Sequence, residues 1–441
     1  MSKSTKEHSQ SVAWRTAFLL AVGYMLSYVD RQILAVLIEP IQAGLGISDT
    51  QFGLLHGLAF GLFFALAGLP MGWLCDRFSR PKLIAAGVSL WSLSTAACGL
   101  AENFSTLFIA RMGVGVGEAA LAPCAYSLLT DLFKKQSLGR AIGLFSMGSQ
   151  FGVSVAFFAS SLLLSWLGST ALSSFIEIEP WQLVFIVIGL AGLPLAALIL
   201  IAVPESRQPV WNKSHDASIF HQAVMEPLVC LWQNWRVFLP LFLGYSLFAM
   251  ATFGFLAWLP AFFLRVLGYS QQNMGVVAGF MVLLCCPAGL ITAGWFVDWL
   301  DKRGCQDAAM RAGVVGACCM LPSVLLIVIF SGSDSIYIAL AVTLFLAPFP
   351  MASGTVALQL SSPPEMRGRI SAIFLLVVAL VSQTLGPLNV ALLSDKVFVA
   401  QDELGYSIAL ACSVVLVLAM LVLSLGMRAY ARRIASLSHL T

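Results

Sequence analysis

Charge is scarce in this chain. Asp, Glu, Lys and Arg together make up 10% of its 441 residues, where a soluble domain carries about 25%. With 59% of residues hydrophobic, a soluble fold would lack the polar side chains to cover its surface, and the composition demands a bilayer. The net charge is only +3 with no basic block, which excludes the electrostatic footprint of a nucleic-acid binder. Histidine numbers five, mostly terminal or in loops. Neither HExxH nor GxSxG occurs, so the hydrolase chemistries those motifs carry have no residues to act with and no enzyme is expected. The ten cysteines form no CxxC and no Cys/His ligand spacing. Most lie in apolar runs, including the neighbours Cys285 and Cys286 and the neighbours Cys318 and Cys319, and read as buried small hydrophobes. Neither a metal nor a cofactor is expected.

What the chain does have is apolar runs near the roughly 20 residues that cross hydrocarbon. Twelve are expected, at 14–38, 51–74, 82–101, 106–130, 140–166 and 182–203, then 236–263, 272–298, 310–331, 335–360, 369–392 and 406–428. The first lacks a small-residue cleavage site and is followed by many others, so it reads as a span and not a removed signal. With the N-terminus cytoplasmic, every Lys and Arg falls inside except Arg265 and Lys396 outside and Arg31 and Arg111 within spans. That asymmetry is the positive-inside rule, and it places both termini in the cytoplasm, with the plasma (inner) membrane as the expected location.

The two halves echo each other. GWLCDRFSRPK at 72–82 returns as GWFVDWLDKRG at 294–304, and GRAIGLF at 139–145 returns as GRISAIF at 368–374. The expected fold is therefore an all-α membrane protein of twelve transmembrane helices in two pseudo-symmetric six-helix bundles. The bundles would be 1–204 and 236–441, joined by a polar cytoplasmic linker at 205–235. Parallel halves with a site between them are a transporter architecture.

Charges inside spans mark function, because each costs roughly 2.5–3.5 kcal/mol even on the mild insertion scale. SYVDRQILAVL at 27–37 places Asp30 and Arg31 in the first span, and RMGVGVGEAALAP at 111–123 places Arg111 and Glu118 in the fourth. At 1.5 Å per residue Asp30 lies about 12 Å below the outer end of its helix, between Arg111 at about 8 Å and Glu118 at about 18 Å. These three groups are expected to form one network. Asp30 is the first candidate proton carrier and Glu118 the second, with the alternative that Glu118 holds Arg111 in place. Arg111 is the candidate ligand for an anionic head group, its planar fork matching carboxylate or phosphate. Arg31 points about 100° away from Asp30 and is a weaker substrate candidate. Tyr28, sharing a face with Tyr24, either lines the cavity or packs. A static ion cluster that only fixes helix packing is the competing account. Gly113, Gly115 and Gly117 are close-approach residues and not a nucleotide loop, since no strand precedes them. His56 in the second span reads as a packing histidine whose ring nitrogens find partners.

GWLCDRFSRPK has the form G-x-x-x-D-R-x-x-R-x-K on a short cytoplasmic turn, beginning at Gly72. It resembles the loop signature of the major facilitator superfamily. A latch is expected there, with Arg77 reaching Asp131 at the inner end of the fourth span, Arg80 as a further gating residue of the motif, and Arg369 as cross-half partner for Asp76. A plain positive-inside anchor is the alternative.

The second half has no charge within its spans away from their ends, and its first span is rich in phenylalanine. Gln359, Gln383 and Asn389 are the main amides there. A charged wall facing an apolar one suits a small amphipathic anion with a hydrocarbon tail. YVDRQILAVL, GWLCDRFSRPKLI, WSLSTAACGL and RMGVGVGEAALAPCAYSLLTDLF together resemble the spinster family of lipid transporters. That resemblance implies lysophospholipid or sphingosine-phosphate cargo, a proton-coupling role for Asp30 and cavity positions for Arg111 and Glu118. Its partners would be protons and membrane lipids, with the chain acting as a monomer. The anion–cation symporters carry a similar Asp-Arg pair and Gly-Glu-Ala, which makes a proton-coupled organic-anion symporter the runner-up. A non-transporting membrane sensor is a third account, disfavoured because 205–235 is too short to fold as a separate domain.

Overall fold

The structure, a computed structural model, describes residues 10–169, 178–205, 225–363 and 366–438; residues 206–224 of the expected linker lie outside them. Among the described residues every regular element is helical. The first span is α1 (Gln10–Val36), followed by the short α2 (Ile38–Leu45). The second begins as α3 (Asp49–Gly53), passes through a π-helical turn (Leu54–Ala59) and continues as α4 (Phe60–Arg77). Its start is a capping box, in which the Ser48 hydroxyl accepts from the Gln51 amide and the Gln51 side chain accepts from the Ser48 amide. Then come α5 (Arg80–Cys98), α6 (Phe104–Glu118), α7 (Leu121–Leu132), α8 (Lys135–Ser169) and α9 (Pro180–Ala202). The second half comprises α10 (Glu226–Gln233), α11 (Trp235–Arg265), α12 (Gln271–Lys302), α13 (Ala308–Ile329), α14 (Ile336–Leu346), α15 (Phe349–Ser361), α16 (Arg367–Lys396) and α17 (Leu404–Ser438).

Eleven helical stretches among the described residues are long and apolar enough to cross a membrane. The one expected span missing from that set is α5. Its Arg80-Pro81-Lys82 start and its interior serines and threonine lower its hydropathy, because it packs against α6 and α9. Twelve crossings therefore remain the consistent count.

Proline accompanies two of the helix breaks. The fourth span parts into α6 and α7 at Ala119–Ala120, where Pro123 has no N–H for the Ala119 carbonyl and its ring crowds it. The tenth parts at the matching place, Ala347–Pro348. There the lost bonds are replaced by side chains: Cys286 Sγ donates to the Leu344 carbonyl that Pro348 cannot serve, at 3.4 Å, and Thr252 Oγ1 donates to that of Ala347 at 3.0 Å. The internal echo seen in the loops thus extends to paired helix breaks. Cysteine behaves differently from expectation at one place, since Cys318 and Cys319 are exposed on α13. In a span, an outward face meets lipid, which an uncharged thiol tolerates.

The described chain forms two compact units. One is Met1–Trp211 with Gly268–Leu283; the other is Asn212–Leu267 with Leu284–Thr441. In the first unit the start of α12 is tied to α1, with Gln271 Nε2 donating to the Val36 carbonyl at 2.7 Å. Val36 has that carbonyl to offer because its i+4 partner would be Pro40, which has no N–H. In the second unit a continuous core of Val237, Leu241, Tyr245, Met310, Phe374 and Leu423 is tied by the Tyr245 hydroxyl, which donates to the Ala309 carbonyl at 2.8 Å.

Candidate functional site

The intramembrane charges of the first unit meet. Asp30, Arg31, Arg111 and Glu118 are 3%, 9%, 0% and 2% exposed. Small residues let their helices approach: a Cβ on Gly117 of α6 would lie 2.6 Å from the Trp91 nitrogen of α5, and one on Gly115 would lie 2.6 Å from the Phe60 carbonyl oxygen. The glycine run in the fourth span is thus a close-approach stripe. It places α6 against both α5 and the second span and leaves Arg111 and Glu118 on either side of the contact.

The pairing is specific. Arg31 Nε donates to Glu118 Oε2 at 2.6 Å, a buried ion pair. Of the two alternatives for Glu118, therefore, the structure shows neither a free acid nor a partner of Arg111: the long side chain of Arg31 spans the gap between α1 and α6. The Arg31 guanidinium also sits over three aromatic rings, 4.7 Å from the Tyr28 centroid, 4.9 Å from Phe60 and 4.8 Å from Phe64. In a desolvated setting such contacts each contribute about 2 kcal/mol. Arg31 is therefore held on every side, and Tyr28 forms part of what holds it. Tyr28 in turn packs edge-on against Tyr24, which stacks on Phe145 of α8 at 4.5 Å. Phe60, Phe64 and Phe145 carried no signal in the sequence beyond being apolar.

Arg111 is held differently. Its Nη1 donates to the main-chain carbonyl of Asp30 at 3.0 Å, and it lies 5.4 Å over the Phe60 ring, but it makes no ion pair among the described residues. Its position does not depend on the charge of the Asp30 side chain. Meanwhile Asp30 Oδ1, Glu118 Oε1, Arg111 Nε and Thr95 Oγ1 are buried without a hydrogen-bond partner. So are both ring nitrogens of His56. The expectation of a satisfied packing histidine is corrected here: the π-helical turn directs the ring to a place where no protein group meets it. Buried polar groups are ordinarily satisfied, and a gathering of exceptions calls for a ligand, a proton or water.

At the turn between the second and third spans the residues of the expected latch take separate partners. Arg80, 1% exposed at its side chain, reaches Asp131 Oδ2 at 2.7 Å and Glu205 Oε1 at 2.6 Å, and donates to the Ser127 hydroxyl at 3.0 Å. Glu205 also accepts from the Arg80 backbone amide at 2.7 Å, placing a carboxylate at the positive N-terminus of α5. Asp131, expected to meet Arg77, is instead bound by Arg80, whose side chain is the buried one of the two, while Arg77 lies over the Trp73 ring at 4.0 Å. Glu205 is the partner the sequence did not disclose, sitting just beyond the sixth span. Arg369 pairs with Glu226 at 3.2 Å, an exposed contact; the side chain of Asp76, its expected partner, lies outside the described residues. A Cβ on Gly72 would meet open space. Replacing Arg80 by methionine is expected to lower stability by about 2 kcal/mol, because charge-assisted bonds to two half-solvated carboxylates are lost. Thermal unfolding in detergent checks this, and Arg77→Met in the same assay is expected to cost less.

The second unit offers little chemistry. Its buried polar side chains are serines and threonines apart from Asp307 at the start of α13, and Gln359 is engaged with the Ser371 hydroxyl at 3.0 Å. No group of three His, Cys, Asp or Glu able to hold a metal ion occurs among the described residues. Cys230, before the α11 span, has its thiol raised by burial, opposed by Arg433, the reverse of what an activated nucleophile needs.

Comparison with known proteins agrees with this picture. The Major Facilitator Superfamily model matches residues 20–387. The chain is 26% identical over 401 residues to an MFS-type efflux pump of Mycolicibacterium smegmatis, covering 90% of this chain and 87% of that one. It is 28% identical over 321 residues to a probable L-galactonate transporter of Escherichia coli (strain K12), covering 70% and 67%. Among solved structures it resembles a bacterial homolog of the human lysosomal transporter Spinster, in an inward-facing and unoccupied conformation. The TM-score is 0.77 at 22% identity, over 97% of this chain and 98% of that one.

Proposed function

The chain belongs to the Major Facilitator Superfamily, and on that premise we propose that it is a proton-linked secondary transporter of an organic oxyanion held at Arg111. It is a multi-pass membrane transporter and not an enzyme, as its relatives and structural neighbours are. The observation that carries the proposal is the inequality between the two buried arginines. Arg31 has a carboxylate in direct contact, whereas Arg111 has a carbonyl oxygen and no ion pair among the described residues. A buried guanidinium without an anion is a binding site for one.

The cargo we favour is an amphipathic anion of the lysophospholipid or sphingoid-phosphate type, because aromatic rings surround the cationic pair and suit a hydrocarbon chain. The likeness to the Spinster homolog supports it at the level of fold. A small sugar acid is the second reading, favoured by the likeness to the probable L-galactonate transporter. In either case Asp30 would carry the proton. With its carboxyl neutral, the cluster of Arg31, Glu118 and Arg111 has one positive charge to spare; with it ionised, the cluster is balanced and no longer has net charge to attract an anion. Cargo and proton then favour each other's binding, as linkage requires. The bacterial relatives suit an inner-membrane location.

The test is flux of labelled lysophosphatidate and of labelled D-galactonate into proteoliposomes under an imposed pH gradient. Arg111→Gln is expected to reduce uptake of the true cargo at least 100-fold, in line with the loss of a charge-assisted pair of about 3 kcal/mol. If Arg111→Gln transports either compound as the wild type does, Arg111 is not the cargo's ligand.

A further inference from the structure

Neither the ion pair nor Arg111 accounts for His56, whose two ring nitrogens are both buried. Three facts bear on what it does. Both its ring nitrogens are sealed from solvent and lack any partner. A neutral imidazole presents one donor and one acceptor, so two complementary needs go unmet at a single side chain. The residue stands in a six-residue π-helical turn, Leu54–Ala59, a local distortion that is rare and found mostly at functional sites.

The level of the ring in the membrane is fixed by packing. The second and fourth spans run in the same direction, being two crossings apart. They touch where Gly115 of α6 abuts the Phe60 carbonyl. One turn back from that contact on each helix stand His56 and Arg111, so the two lie level on neighbouring spans. The Nε–H of Arg111 has no acceptor. On the far side of the ring stands Phe52, its centroid 6.2 Å away, which offers no hydrogen bond. Two orphaned donors and one orphaned acceptor thus stand at one level on neighbouring spans.

We propose that His56 is a second ligand for the cargo of Arg111, and that the two together select an oxyanion carrying a neighbouring hydroxyl. One cargo oxygen accepts from the Arg111 Nε–H and the imidazole N–H; the hydroxyl donates to the remaining ring nitrogen. This rests on the proposal that Arg111 binds an anion, and it adds the chemical class. Lysophosphatidate, with its free glycerol hydroxyl, and D-galactonate, with its 2-hydroxyl, both belong to that class; a plain fatty acid such as hexanoate does not.

The experiment is equilibrium binding to the full-length protein in detergent, with lysophosphatidate, D-galactonate and hexanoate as probes, alongside thermal unfolding without ligand. In the wild type, one of the two hydroxy-oxyanions is expected to bind at least tenfold more tightly than hexanoate. His56→Leu is expected to weaken that binding at least tenfold while leaving the melting temperature unchanged or higher, because it removes polar atoms that had no partner. His56→Gln, which keeps a donor and an acceptor, is expected to regain part of the affinity. Unchanged affinity in His56→Leu overturns the proposal, and so does a loss in His56→Leu that His56→Gln does not partly restore. If Arg111→Gln abolishes binding but His56→Leu does not, only the role of His56 falls. If the wild type binds neither hydroxy-oxyanion, the cargo reading falls with it.

Discussion

Asp30→Asn is expected to abolish the dependence of transport on the pH gradient while leaving cargo exchange between equal pools intact. The asparagine is isosteric with a protonated carboxyl. It keeps the main-chain carbonyl on which Arg111 Nη1 rests at 3.0 Å, so the anion ligand stays in place and the variant is expected to fold. What changes is charge. On the proposed mechanism, ionisation of Asp30 in the wild type cancels the excess positive charge that favours an anion. Cargo affinity should then fall with rising pH, by at most tenfold per unit where one proton is linked to one cargo. In Asp30→Asn the affinity should stay at its low-pH value throughout. Binding measured from pH 5.5 to 8.5, with gradient-driven uptake and counterflow in proteoliposomes, separates these outcomes. Should the variant still accumulate cargo along a proton gradient, coupling does not run through Asp30, and Glu118 becomes the group to test.

The second large effect concerns the ion pair of α1 and α6. Arg31→Met leaves Glu118 buried, with one oxygen already lacking a partner and the other losing its 2.6 Å donor. Breaking a buried pair from one side costs about 3–5 kcal/mol, whereas replacing both members by apolar groups is often neutral. Thermal unfolding should therefore show a large fall for Arg31→Met and recovery towards the wild type for Arg31→Met combined with Glu118→Leu. Transport tells the rest. A pair that only fixes packing would let the double variant regain flux together with stability; a pair that shapes the anion site would leave it stable and inactive. The second result is expected, since the Arg31 guanidinium and Arg111 share the Phe60 ring and the spare charge of the cluster depends on both.

The sequence and the fold agree most closely where chemistry is costly. Four charges in apolar runs stand out in any reading, because hydrocarbon tolerates so few, and depth arithmetic along two helices was enough to put Asp30 between Arg111 and Glu118. Which cation meets which anion was not legible. Arginine spans several ångströms along a helix face, so Arg31 and Arg111 were both within range of Glu118, and only packing decides between them. The same holds at the turn between the second and third spans, where the sequence pointed to Arg77 as the partner of Asp131 and packing brings Arg80 to it and to Glu205.

By itself, then, the sequence determined the class of protein: composition and run length require membrane-spanning helices. It also determined the internal duplication, through loops repeated in each half, and the four charges that stand within the spans. The tertiary structure alone decided the partners. Glycine contacts between α6 and its neighbours set the distances at which Arg31 takes Glu118 and Arg111 takes a carbonyl. A π-helical turn, with no signature in composition, leaves the imidazole of His56 without a partner. Long-range pairing depends on sub-turn rotations and ångström-scale approaches between helices, and those come from how whole surfaces pack, which no local pattern along one chain specifies.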